Sequence, residues 1–130
     1  MMYSTRKELE DAVIAEYNRA VKGQCKQLYS CKAWIFTPDN SDFIILQSYT
    51  TIAAAFQRTT GILWVFGFYS NTTSQHIAKF WNWIRYEYQT GWNHPVIVRL
   101  YNDSRTGKRA ARKNIEDDFA SVIATALNQH

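Results

Sequence analysis

The sequence predicts a single α+β domain, a mostly antiparallel sheet of about five strands packed with three helices. Short apolar runs punctuated by turn residues fill the middle of the chain, helical periodicity marks both ends and one interior segment, and no linker, repeat or low-complexity stretch divides residues 1–130. The expected element order is α-β-β-β-β-α-β-α.

From Thr5 the apolar residues Leu9, Val13, Tyr17 and Val21 recur four apart, the spacing of one helical face, and Thr5 with Glu8 is spaced as a capping box. Gly23 is the expected stop. After a polar stretch, Ala33 to Thr37 reads as a strand, Pro38 to Ser41 as a turn and Phe43 to Gln47 as the antiparallel return. Tyr49 to Phe56 continues extended, 57–61 is a loop, and Ile62 to Phe68 is a strand apolar at almost every position. Such a strand is expected to be central and covered on both faces, with Gly67 marking a bulge or a close approach.

The cap-forming run Ser70 to Ser74 precedes Ile77, Phe80, Trp81, Ile84 and Tyr88, which share one face of a second helix. Val96 to Tyr101 is the last strand. Asn102 to Gly107 links it to a third helix burying Ala111, Ile115, Phe119, Val122 and Ala126.

Composition narrows the function classes. A net charge of +4 favours acidic partners without demanding nucleic acid, and 15% aromatic residues require a bulky core or an adhesive surface. No apolar run has the length of a membrane span, and the charged start Arg6, Lys7, Glu8 is unlike a secretory signal, so a cytoplasmic protein with a reduced Cys25 and Cys31 is expected.

Groups suited to catalysis are few. Of three histidines, His130 is terminal, His94 precedes a proline, and His76 falls in the first turn of the second helix, where Thr72, Thr73 and Ser74 offer donors to an anion. The competing reading of that segment is a cap, with Thr72 and Gln75 as a capping box. Ser104 to Lys108 lacks the glycine and hydroxyl of a phosphate-binding loop, and the acids of the end helices fit solvated faces. No metal, organic cofactor or enzymatic activity is expected.

Two surfaces are candidates for binding. Arg105, Lys108, Arg109, Arg112 and Lys113 place positive charge at a helix N-terminus, where the helix dipole disfavours it unless an anion compensates. An acidic or nucleic-acid partner would supply that anion; Glu116 and Asp117 are the internal alternative. The other surface is aromatic: Trp83 at the edge of the second helix's apolar stripe, Tyr86 opposite, and Trp92 in the following loop, which either covers them or leaves them displayed as interface anchors.

One segment carries a resemblance. Ser48, Tyr49, Thr51, Ile52 and Ala53, then an aromatic strand, then Tyr69, Ser70, Thr72, Thr73, Ser74, His76, Ile77 and Phe80 are set against the pattern Ser-Tyr-x-Thr-x-Ile-Ala … Tyr-Ser-x-Thr-Thr-Ser-x-His-Ile, whose second half matches at every position and whose first half differs in that Ile52 follows Thr51 directly. This resembles a family of small uncharacterised proteins of bacteriophages, plasmids and related mobile elements. It covers residues 47–80 only, and implies a genetic setting rather than a catalytic residue. Its matching residues Tyr49, Thr51, Thr72, Thr73, Ser74 and His76 are expected to form one feature, with the Tyr49 strand beside the cap of the second helix.

The resemblance implies a non-enzymatic binding protein of a phage or mobile element. The leading expectation is an anti-CRISPR-like inhibitor of a host defence protein or nucleoprotein complex. The alternative is an accessory DNA- or RNA-binding protein using the basic helix edge. A homodimer seam is a further use for an aromatic surface.

Overall fold

The computed structural model describes residues 3–66, 71–88, 92, 94–100, 124–125 and 127–128. The elements are α1 (Arg6–Arg19), β1 (Cys25–Gln27), β2 (Ala33–Phe36), β3 (Phe43–Ser48), β4 (Thr51–Gln57), β5 (Ile62–Val65), α2 (Asn71–Trp83), which runs on into a π-helical turn (Ile84–Tyr88), and β6 (Val96–Arg99). The α+β class is as expected from sequence.

α1 begins as its local chemistry dictates. The Thr5 hydroxyl accepts the Glu8 N–H at 3.1 Å, satisfying a donor that the first turn leaves over, and the Glu8 carboxylate reaches back past the cap to accept the Ser4 N–H at 3.0 Å. The helix ends at Arg19, so Val21 lies beyond it at 61% exposure and is not part of the buried stripe. Gly23, with φ +97, makes the turn into β1.

The sheet has six strands in sequence order. All neighbours are antiparallel except β5 and β6, whose parallel pairing requires a crossover that contains α2. β1 was not expected: its three residues are all exposed and carry no alternation, and it is defined by its pairing with β2.

α1 covers one face and α2 the other. Phe43, Ile45, Ile62 and Trp64 join Leu9 and Val13, whereas Ile44, Leu46, Leu63 and Val65 join Phe80, Trp83 and Ile84. Strict alternation between two covered faces is why these strands read as continuous apolar runs. All four β5 residues are buried between β4 and β6, as a central strand requires.

The bulge lies in β4. Leu46 pairs with Ala54 and Gln47 with Ile52, so Ala53 is an extra residue, and Ala53 and Ala54 both turn toward α2. The Ala53 carbonyl is taken up by the Phe66 N–H at 3.0 Å. Gly67, the expected bulge, and the basic edge Arg105, Lys108, Arg109, Arg112 and Lys113 lie outside the described residues; of the expected third helix, 124–125 and 127–128 are described and are helical, with Leu127 packed against the α1-side core. Among the described residues no helix is long and apolar enough to cross a membrane.

Candidate functional site

Tyr49 is not in a strand. Ser48 pairs with Thr51, which leaves Tyr49 and Thr50 as a two-residue turn between β3 and β4. Tyr49 holds φ +55, a left-handed conformation that costs an L residue about 1–2 kcal/mol, in a turn with no glycine or asparagine to take it. Its N–H donates to the Lys32 carbonyl at 2.9 Å, tying the turn to the β1–β2 connection.

Beneath this turn lies a buried polar cluster. Alternation along β3 puts Ser48 on the α2 side, where its hydroxyl meets Thr73 Oγ1 at 3.1 Å and His76 Nδ1 at 2.8 Å. Ser48, Thr73 and His76 are 2%, 4% and 3% exposed. The Tyr49 ring lies against His76 with centroids 5.6 Å apart while staying 46% exposed. Burial first, and the Lys79 charge second, hold the His76 imidazole below its ordinary pKa, so it is neutral at pH 7.

The two halves of the Ser-Tyr … Thr-Thr-Ser-x-His pattern therefore do come together, through Ser48 and Tyr49 on one side and Thr73 and His76 on the other. Thr72 and Ser74 are exposed in the first turn of α2 and point away from this cluster's burial. The helix starts at Asn71, which places Thr72 inside it and rules out the expected Thr72–Gln75 capping box. Ser48, the centre of the cluster, was not among the expected site residues; its signal was a single hydroxyl closing the apolar run Phe43 to Leu46.

A second tyrosine shares this end of the sheet. Tyr29, in the β1–β2 connection, has φ +52 and is 48% exposed. Leu28 bonds to Ala33, Ala33 pairs with Ser48, and the Tyr49 N–H reaches Lys32, so the turns that carry Tyr29 and Tyr49 lie at the same end of the sheet.

At the opposite end, Gln57 is clamped instead of displayed. It accepts from the Trp64 indole N–H at 3.2 Å and donates to Asp42 at 3.0 Å, and Asp42 also accepts from the Thr59 N–H and hydroxyl. This network closes the β4–β5 turn.

The expected aromatic surface survives only in part. Trp83 is 4% exposed and belongs to the α2-side core, with the Lys26 ammonium 4.9 Å from its ring centroid, so it is no contact residue. Trp92 is half-buried against the same core, and its indole N–H donates to the Arg58 carbonyl at 2.9 Å. Tyr86 is displayed, at 64% exposure, with the Arg85 guanidinium 5.0 Å from its ring centroid. Both thiols are free, Cys25 on exposed β1 and Cys31 with its Sγ 2.9 Å from the Leu28 carbonyl.

Residues 1–90 match a family of unknown function (DUF8033), and the chain belongs to that family. No curated protein and no solved structure matches the chain.

Proposed function

We propose that this member of a functionally unassigned family works by binding, and that its contact surface is built on Tyr49 and Tyr29 at the turn end of the sheet. The observation that carries this reading is Tyr49 itself, half-exposed in a left-handed conformation over a buried Ser48–Thr73–His76 network. Strained residues persist where their surroundings over-determine them, and they concentrate at ligand clamps and active sites. The chemistry beneath Tyr49 favours a clamp. A Ser–His pair at 2.8 Å is the distance of a nucleophile and its base, but at 2% and 3% exposure a substrate has no access to either atom.

The partner we propose is a host defence protein or nucleoprotein complex, and the consequence of binding is its inhibition, in the anti-CRISPR manner. The resemblance to mobile-element proteins supplies the setting. A net charge of +4 fits an acidic protein surface, guide RNA or target DNA and does not fit a mimic of DNA. Protection of a targeted phage tests this: expression of the protein in cells carrying a CRISPR nuclease raises plating efficiency by orders of magnitude, and Tyr49→Ala with Tyr29→Ala removes the protection while the protein stays folded. Unchanged plating across representative nuclease types rejects the defence reading.

A further inference from the structure

We infer that the outer face of α2 and its π-helical turn is a docking surface for single-stranded nucleic acid. This goes beyond the reading above, uses different residues and does not depend on it.

The inference starts from where negative charge is missing. From Phe43 to Tyr86 the chain has no acidic residue, and none from Tyr17 to Pro38; the first acid after Tyr86 is Glu87. The acids whose side chains are described, Glu8, Glu10, Asp11, Glu16, Asp39 and Asp42, lie on α1 or between β2 and β3. From Asn71 to Trp83, α2 therefore presents Lys79 and no carboxylate, and Arg85 follows in the π-helical turn.

That face has the three components single-strand binding needs. Lys79 and Arg85 are exposed, and among the described residues neither joins an ion pair; every ion pair there lies on α1. Lys26 adds a third cation where β1 meets the end of α2, its ammonium resting on the Trp83 ring. Gln75 and Asn82 expose amides that both donate and accept hydrogen bonds. Tyr86 offers a displayed ring beside the Arg85 guanidinium, two flat groups on which an unpaired base stacks.

The helical geometry aligns these groups. Gln75, Lys79 and Asn82 are spaced four and three apart, an exposed stripe of α2 running beside the buried stripe of His76, Phe80 and Trp83, and exposed Tyr86 follows in the π-helical turn. A π-helical turn carries Arg85 and Tyr86, a feature frequent at functional sites. The ring and guanidinium select the strand type: in a duplex the base faces are stacked on one another, and an exposed tyrosine has nothing to stack on.

Fluorescence anisotropy with purified protein tests the surface directly. The probes are labelled oligodeoxythymidine, oligouridine of the same length and a DNA duplex, over a salt series. Single strands bind in preference to duplex, and the log–log salt slope is about −2, the value for roughly three phosphates neutralised on a single strand. Whichever of the two single strands binds tighter identifies the source. The double variant K79E/R85E and the single variant Y86A each weaken binding about 10-fold or more, whereas Y86F stays near wild type because the stacking ring is kept. Circular dichroism confirms that these exposed substitutions leave the fold intact. No binding at low salt, equal affinity for duplex, or affinity unchanged by either K79E/R85E or Y86A overturns the inference. R105E/R109E/R112E is the control: loss of binding in that variant alone places the contact on the C-terminal basic edge and overturns it as well. Because no defence complex is present in this experiment, its result is independent of the phage-protection assay.

Discussion

α1 and α2 cover opposite faces of one sheet, and their outward sides follow opposite electrostatic rules. On α1 every cation has a carboxylate on the same helix: Arg6 with Glu10 at 2.9 Å, Lys7 with Asp11 at 3.0 Å and Arg19 with Glu16 at 2.7 Å. On α2 and its π-helical turn Lys79 and Arg85 join no ion pair among the residues whose side chains are described. The inward sides differ too. α1 buries Leu9 and Val13, while α2 buries Phe80, Trp83, Thr73 and His76, combining aromatic packing with a hydrogen-bonded cluster. A helix with its charges neutralised internally is a solvated cover. A helix anchored this firmly, with cations left over, is suited to hold a charged partner without moving.

The largest expected effect tests the anchoring. Phe80→Ala removes a fully buried ring and is expected to cost about 3–5 kcal/mol in urea unfolding, against about 2–5 kcal/mol for Leu9→Ala on the other helix. Equal or reversed losses would break the claim that α2 is the more firmly anchored helix. Next comes the polar cluster: Ser48→Val leaves His76 Nδ1 and Thr73 Oγ1 without their shared partner and is expected to cost about 1–3 kcal/mol.

The same cluster predicts a pH dependence with a definite sign. The folded-state pKa of His76 lies below its unfolded value, so above about pH 6.5 both states are neutral and the full stability is present. As pH falls below that value the unfolded chain takes up a proton that the folded chain resists, and stability declines until the folded pKa is passed. Tm measured between pH 7.5 and 5 is expected to drop, and His76→Gln to flatten the drop. An unchanged slope in that variant would assign the pH dependence to another group.

Smaller effects sharpen the picture. Tyr49→Gly relieves a left-handed backbone but loses the ring contact with His76, opposing changes that leave stability within about 1 kcal/mol of wild type. A near-neutral change in stability with lost phage protection would separate the tyrosine's role in contact from any role in folding. Smallest is Lys7→Ala on α1, which breaks an exposed pair worth about 0.3–0.5 kcal/mol.

What the sequence revealed follows from how local each signal is. The α1 cap was legible because Thr5 and Glu8 are three residues apart and bond within one turn. The two-faced burial of β5 was legible because it is apolar at consecutive positions, and β3 shares that burial without having been expected to. β1 was not, because Cys25, Lys26 and Gln27 carry no pattern and are held only by β2. The Tyr49 turn was hidden because Ser-Tyr-Thr-Thr contains none of the residues that announce a positive φ. The meeting of Ser48 with His76 spans 28 residues of chain, and only the repeated pattern of the resemblance hinted at it. Trp83 was placed at the edge of a stripe running through Ile77, Phe80, Trp81, Ile84 and Tyr88, but the buried side of α2 runs through Thr73, His76, Phe80 and Trp83, with Ile77 only partly buried, so the stripe is turned toward Trp83.

The central claim, that the α2 side rather than the α1 side of the sheet receives a charged partner, is tested most directly by titrating 15N-labelled protein with a short single-stranded oligonucleotide and following amide shifts. The account predicts perturbations at Lys79, Asn82, Arg85, Tyr86 and Lys26, with Lys7, Asp11 and Glu16 on α1 unmoved. Shifts confined to α1, or to residues 105–113, would contradict it.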